Sequence, residues 1–396
     1  MIAPGLDSVL APGGWAYASA LPVGADDPGR FHALFGRDSL IVALQTLPER
    51  PEIARATLHA HASLLGRVED PSSGEEPGKV VHEWREAPPE VLVARGWPAD
   101  DKPFRYYASA DSTSWFLIVL AVMRDPGLAS ELEYAWRAAG GWLVRALERG
   151  GGFVRYGPSF RPGGLSMQGW RDAVDPADPR DGGAGILHPD GRLPAYPLAD
   201  ADVQAVAHVA LRALAELSGE QRFRAEAEAL RDRVGEAFDA ETMALEPDGT
   251  PVRGAGSQLG WLLWADAVPK GPRREAVADR LCDPDVLTSF GLRTLSDRHG
   301  AFDPYAYHRG SVWPFDSWLG WGGLLATGRA SEAEHVRGGV LAALDALGHA
   351  PELYAVDPAT GRPAPVALSN FVQAWTIGAR SALERRWDGR LAVTAP

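Results

Sequence analysis

The side chains of this 396-residue chain that could do chemistry collect in five stretches without helical periodicity, 67–111, 149–199, 239–255, 283–314 and 349–369. They hold His82, Glu83, Trp84, Arg85, Tyr106, Tyr107, Gln168, Trp170, Asp172, Tyr307, His308, Trp313, Glu352 and Tyr354. Aromatic faces stack on the C–H faces of a pyranose while Arg, Asp and Gln fix its hydroxyls by directional hydrogen bonds, so this mixture suits a sugar. Long structureless stretches inside a compact domain are uncommon and usually functional.

Other chemistries find less support. Asp172, Asp175, Asp178 and Asp181 recur every three residues, but without the ligand order and closing Glu of an EF-hand they read as a solvated turn. His82-Glu83 lacks the second histidine of a zinc-protease helix, the single Cys282 has no partner ligands, and no phosphate-loop or dinucleotide glycine pattern is present. No metal and no cofactor are therefore implied. His208, alone on an apolar helix, reads as a core residue.

The elements that must position these side chains are helices of two kinds. Residues 115–123, 203–217, 258–264 and 318–325 are apolar nearly all round and must be buried on most sides. In 219–238 the apolar Phe223, Ala227, Leu230, Val234 and Phe238 recur at helical spacing between Arg and Glu, which marks a one-sided surface helix. Similar surface helices fit 51–66, 127–148, 271–281 and 330–348. The two kinds alternate, so the expected fold is all-α, an (α/α)6 barrel of hairpins with an inner and an outer ring.

Eleven helices are expected, near 37–47, 51–66, 112–124, 127–148, 200–217, 219–238, 256–267, 271–282, 315–327, 330–348 and 370–386. Six hairpins need a twelfth, expected to be short or within the N-terminal segment. Turns within hairpins are short, and in a ring of antiparallel hairpins the five long segments must emerge at one end. Trp136, Trp142, Trp264, Trp318 and Trp321 sit at helical spacing and read as core. Trp84, Trp170 and Trp313 lie in the long segments and read as pocket lining.

Composition narrows the class. No Ser/Gly tract or block of like charge marks a linker, so one domain over 1–396 is expected. Net charge is −13, from 52 acids against 39 bases, and no basic patch carries interleaved aromatics, which argues against nucleic acid and anionic membranes as partners. One cysteine permits no internal disulfide, no export signal is visible at the N-terminus, and the longest apolar run, Trp115–Met123, is about half the length a bilayer crossing needs. A cytoplasmic protein acting on a small carbohydrate is the expectation.

Six strings, in order, carry a family resemblance: Phe35-Gly36-Arg37-Asp38-Ser39-Leu40, Glu76 to Glu83 (EPGKVVHE), Gln168-Gly169-Trp170-Arg171-Asp172, Tyr307 to Pro314 (YHRGSVWP), Pro351-Glu352-Leu353-Tyr354 and Gln373-Ala374-Trp375. Across roughly residues 15–380 the chain resembles the amylo-α-1,6-glucosidase and mannosylglycerate hydrolase branch of glycosidases. The resemblance implies a barrel of six helical hairpins and inverting hydrolysis of a terminal α-linked sugar. It implies Asp172 as the general acid and Glu352 as the general base. Arg37 and Asp38 match a pair that grips sugar hydroxyls, and His82, Trp84, Tyr107, Gln168, Trp170, Gln204, His308, Trp313 and Trp375 complete the expected substrate-binding set.

Physical reasoning adds that Asp172, beside Trp170 in a dry pocket, is raised in pKa, with Arg171 turned away, whereas Glu352 must stay ionised. Asp202, Phe315 and Ser369-Asn370-Phe371 depart from the pattern, where Glu, His and another approach to Gln-Ala-Trp are usual. Motifs begin almost at once, which favours a compact substrate such as mannosylglycerate or glucosylglycerate over a glycogen limit branch. For a glycerate carboxylate, Arg105, Tyr106, Tyr107, His82 and Arg309 are candidate partners. Rival readings are amylo-α-1,6-glucosidase action on α-glucans, a sugar epimerase working through His82 and His308, and a carbohydrate-binding protein without catalysis.

Overall fold

Short Pro- and Gly-containing turns divide the chain into helices, as the computed structural model bears out. It describes residues 5–21, 31–100, 103–159, 164–173 and 183–391. The helices are α1 Gly36–Thr46, α2 Pro51–Ser63, the single turn α3 Glu90–Val93, α4 Ser112–Met123, α5 Pro126–Glu131, α6 Glu133–Arg149, α7 Ala201–Ser218, α8 Gln221–Ala237, α9 Gln258–Trp264, α10 Pro272–Leu281, α11 Pro314–Ala326, α12 Ala330–Leu347 and α13 Ala374–Arg385. Local signals set several starts. Proline opens α2, α5, α10 and α11, where a missing N–H costs nothing, and the Asp200 carboxylate caps α7 by accepting from Val203 N at 2.7 Å.

Six helices form the interior. α1 packs on α4, α4 on α7, α7 on α9, α9 on α11, α11 on α13, and α13 returns to α1. Every residue of α9 is buried, as its all-round apolar pattern requires, and so is every residue of α1 despite its polar first turn. The one-sided helices lie outside this cycle: α2 on α1 and α4, α6 on α4 and α7, α8 on α7, α10 on α9, and α12 on α11 and α13. The 3₁₀ turn Leu6–Val9, short and within the N-terminal segment, packs on α13. One hydrophobic cluster runs from Val9 to Leu391.

The molecule is mostly helical rather than wholly so. The expected long segments, together with the stretch before α1, carry small antiparallel sheets: β1 Leu34–Phe35, β2 Glu83–Arg85 and β3 Phe104–Tyr106 form one, and β4 Ala199–Asp200, β5 Thr242–Leu245 and β6 Pro251–Arg253 another. β7 Leu287–Thr288 pairs with β8 Gly291–Leu292, and β9 Tyr354–Val356 with β10 Pro363–Pro365. These strands satisfy backbone groups in segments too long to be simple turns. Two helix expectations also change. The helix expected over 127–148 breaks at Leu132 into α5 and α6, and the last begins at Ala374 rather than at 370.

α9 and α11 approach so closely that a Cβ on Gly260 would stand 2.6 Å from Gly320 Cα, and one on Gly323 2.5 Å from the Gly260 carbonyl oxygen. Gly260→Ala is therefore expected to cost roughly 1–3 kcal/mol by overpacking. Urea denaturation of the variant beside wild type measures it, and an unchanged midpoint would disprove so tight a contact.

Candidate active site

The N-terminal ends of all six inner helices meet at one place. Arg37 and Asp38 lie in the first turn of α1, Asp111 immediately precedes α4, Asp200 and Asp202 open α7, Ser257 precedes α9, Asp316 lies in the first turn of α11, and Gln373 precedes α13. Hydrogen bonds join some neighbouring pairs of them. Gln373 Nε2 donates to Asp38 Oδ1 at 3.2 Å, and Trp261 Nε1 to Asp316 Oδ1 at 2.6 Å. Gly36 makes the α1 end possible, because a Cβ there would sit 2.1 Å from the Val81 carbonyl oxygen.

Arg37 is the hub. Its Nη1 donates to both Asp111 carboxylate oxygens at 3.3 Å, its Nη2 to Asp172 Oδ2 at 2.5 Å, and its Nε lies 4.0 Å from Asp38 Oδ2. The Arg37 side chain is 3% exposed, and that of Asp172 is 24% exposed, so the aspartate keeps a path to solvent. One guanidinium cannot neutralise three buried carboxylates, and burial raises Asp38 to about 7 against the pull of Arg37.

Glu352 lies in the same electrostatic neighbourhood. Its Oε1 accepts from Tyr307 Oη at 2.6 Å and its Oε2 from Asn370 N at 3.2 Å. Burial lifts it to about 8 in spite of these donors, with Asp38 and Asp172 adding to the rise. Asp172 is also raised by burial, while Arg37 pulls it back. The site therefore retains protons near neutral pH. The physical expectation for Glu352 needs correction, since desolvation acts against its ionised form and the donors oppose this only in part. Arg171 lies inward, 2% exposed, but its guanidinium bonds Asp202 and, at 3.0 Å, Ser257 Oγ, and sits over the Trp170 ring. The cation beside Asp172 is Arg37.

An aromatic cluster adjoins the carboxylates. Trp170 stacks on Trp261 and meets His308, Trp313 and Phe315 edge-on, with centroids 5.3–5.9 Å apart. His308 stacks on Trp313 at 5.0 Å, and Trp375 on Phe315 at 4.0 Å. Burial and nearby arginines hold His308 well below its ordinary pKa, as burial does His82. The two are not partners of each other: His82 meets Phe35 and Tyr106 edge-on.

Several expected sugar-binding residues are engaged elsewhere. Gln204 is wholly buried, with Oε1 accepting from Val154 N and Nε2 donating to the Val154 and Asp200 carbonyls, so it clamps a loop to α7. Tyr107 Oη donates to the Leu64 carbonyl at 2.7 Å, and Gln168 Nε2 to the Gly157 carbonyl at 2.5 Å. Trp84, on β2, is half-buried and meets Trp15 edge-on at 6.4 Å. Asp175, Asp178 and Asp181 lie outside the described residues. Outside the expected catalytic and binding set the site also contains Asp111, Tyr307, Asn370 and Gln373. The last three sit in or beside the motif strings, which was the available signal, whereas Asp111 has only its position before an apolar helix.

Glu352 also gives a stability prediction. A carboxyl raised in the folded state contributes stability that is present below its unfolded value, near 4.3, and is lost as pH rises towards about 8. Glu352→Gln should thus melt near wild type at pH 4.5 and above it at pH 8, by on the order of 1 kcal/mol or more. A variant no more stable than wild type at pH 8 would refute the buried, neutral-favouring setting.

Residues 185–376 match the family model of the mannosylglycerate hydrolase MGH1-like glycoside hydrolase domain, a stretch that contains His308, Trp313, Glu352 and Trp375 but not Arg37 or Asp172. No curated protein sequence matches the chain. The crystal structure of GH63 mannosylglycerate hydrolase from Thermus thermophilus in complex with Tris and D-glycerate is similar with a TM-score of 0.67, covering 96% of this chain and 98% of that one at 16% identity. The structure in complex with glucose gives 0.67, 97% and 100% at 17% identity. An uncharacterized conserved protein from the same organism gives 0.66, 96% and 98% at 16% identity. Likeness at this identity shows a shared fold, and the family match makes the chain similar to mannosylglycerate hydrolase-like glycoside hydrolases.

Proposed function

We propose that the chain is an inverting α-glycosidase built on a single (α/α)6 barrel, releasing terminal glucose or mannose from a small cytoplasmic α-glycoside such as mannosylglycerate or glucosylglycerate. The observation that carries this reading is that one aromatic cluster joins the surroundings of two buried carboxyls from chain segments 180 residues apart: Tyr307, which donates to Glu352, meets His308 and Trp313, and these meet Trp170, two residues before Asp172. Such a site offers both a protonated carboxyl for a leaving oxygen and a carboxylate for water.

In the proposed mechanism Asp172, which keeps access to solvent, gives its proton to the glycosidic oxygen. Glu352, in its ionised form held by Tyr307 and the Asn370 N–H, takes a proton from the water that attacks the opposite face. Inversion asks for about 6.5–9.5 Å between the carboxyls, leaving room for that water. Arg37 and Asp38 grip hydroxyls of the terminal sugar, and engagement of Arg37 by substrate loosens its hold on Asp172, letting that carboxyl keep its proton.

A reversal of roles, with Glu352 as acid, is favoured by its rise to about 8. The epimerase reading loses ground because His82 and His308 sit in separate aromatic contacts.

The test is a panel of mannosylglycerate, glucosylglycerate, isomaltose, trehalose and limit dextrin, with NMR reading the anomer first released. The β anomer from an α-linked glycerate is expected; the α anomer would overturn inversion, and free-sugar interconversion without release would establish an epimerase. Asp172→Asn and Glu352→Gln should each lower kcat by roughly 10²–10⁴. On an α-glycosyl fluoride, which leaves without a proton, Asp172→Asn should recover most of that loss and Glu352→Gln none. The opposite recovery would assign the reversed roles. Sugar binding without turnover in wild type would favour a binding protein.

A further inference from the structure

At the far end of α7 from the carboxylate cluster, a second set of polar groups stands around a cavity of about 170 Å³. Its walls come from α7 (His208, Arg212, Ala215, Glu216), α8 (Arg224, Glu228, Arg231) and Asp266 in the turn after α9. His208 and Arg212 lie roughly 10–16 Å along α7 from its first residue, at 1.5 Å per residue.

The imidazole of His208 is 1% exposed, and its Nδ1 stands 2.9 Å from the Ala265 carbonyl oxygen. A carbonyl only accepts, so Nδ1 carries the proton and Nε2 presents a lone pair. That Nε2 is buried and has no hydrogen-bond partner among the described residues. Burial, reinforced by Arg212, holds the ring down at about 4, so it stays a neutral acceptor at physiological pH. A buried acceptor without a donor is costly, and water or a ligand must supply one.

The cations around it are incompletely matched. The carboxylates of the pocket are Glu216, Glu228 and Asp266. Asp266 is bonded by Arg274, and Glu228 Oε2 accepts from Arg231 Nη1 at 3.2 Å, which leaves Arg231 Nε buried without a partner. Among the described residues neither Arg212 nor Arg224 makes a hydrogen bond or a salt bridge, and Glu216 is exposed to solvent. Burial lowers Arg212 more than its acidic neighbours Asp266 and Glu216 raise it, so its charge is desolvated without a bonded anion to compensate.

We propose that this cavity binds a small oxyanion that still carries a proton, of the hydrogen phosphate type. Its O–H donates to His208 Nε2, and its charged oxygens accept from Arg212, Arg224 and Arg231. Planar guanidinium forks match such oxygens in pairs. The volume is more than one water needs and smaller than the roughly 300–1,000 Å³ of ordinary organic-ligand pockets, so a small ion suits it better than a sugar.

The probes are inorganic phosphate and sulfate, titrated calorimetrically into the full chain at pH 7.5 with sodium chloride holding ionic strength constant. Sulfate has the same shape but no proton for Nε2. Saturable phosphate binding is expected, with sulfate at least tenfold weaker. Arg212→Gln, at a half-buried side chain without a partner, should fold normally and weaken phosphate at least tenfold while leaving glycoside turnover unchanged. Absence of saturable phosphate binding, equal affinity for sulfate, or full phosphate affinity in a folded Arg212→Gln would each overturn the proposal.

Discussion

The structure depends on one buried cation. Arg37 sits at the start of α1 with Asp111 on one side and Asp172 on the other, and Asp38 follows it in sequence. Without it those acids would be desolvated anions in mutual repulsion, an arrangement that costs several kcal/mol per charge. With it the cluster is held together but not neutralised. Burial is what raises Asp38, Asp172 and Glu352 towards neutrality, with neighbouring carboxylates adding to it, and the cation that permits burial of Asp38 and Asp172 also limits how far either holds its proton.

The cycle of inner helices serves this arrangement. Six helix N-termini at one place bring six partial positive charges to a region crowded with aspartates, and at the start of α7 the Val203 N–H favours the ionised form of Asp200. Burial opposes that tendency, and the balance differs from one carboxyl to the next with its number of donors. Arg171 repeats the theme deeper in the interior: bonded to Asp202 and Ser257, it ties the segment that carries Trp170 and Asp172 to the starts of α7 and α9. The Asp172 backbone is therefore fixed by its neighbour in sequence and its carboxylate by a residue 135 positions away.

Much of this was legible in the sequence because it is a matter of pattern. All-round apolar segments and one-sided segments differ in period and composition, and their alternation carried the inner and outer helices with few errors. The small sheets were not legible: strands of two to four residues in Pro- and Gly-rich segments have too few residues to show alternation, and their pairings, such as Phe35 with Glu83, are set by the tertiary fold. Within the site, Arg37, Asp38, Trp170, His308 and Trp313 were found through local strings and lie together around the carboxylates. Gln204 and Tyr107 were named in the same way and proved to be bonded to backbone, because a residue type says what can be bonded and only the fold says which partner arrives first. Asp111 has no string of its own, and Arg37's choice of it spans 74 residues.

The bond between Gln373 and Asp38 joins residues 335 positions apart and closes the circle of inner helices between α13 and α1. During synthesis α1 leaves the ribosome long before α13 exists, so Arg37 and its aspartates must wait with one wall missing and water on that side. Contacts of such long sequence separation form late because chain entropy opposes them until much else is in order. The dry setting that lifts the carboxyl groups thus comes into being only at the final stage of maturation, and a nascent chain has the acids of the finished molecule without their altered acidity.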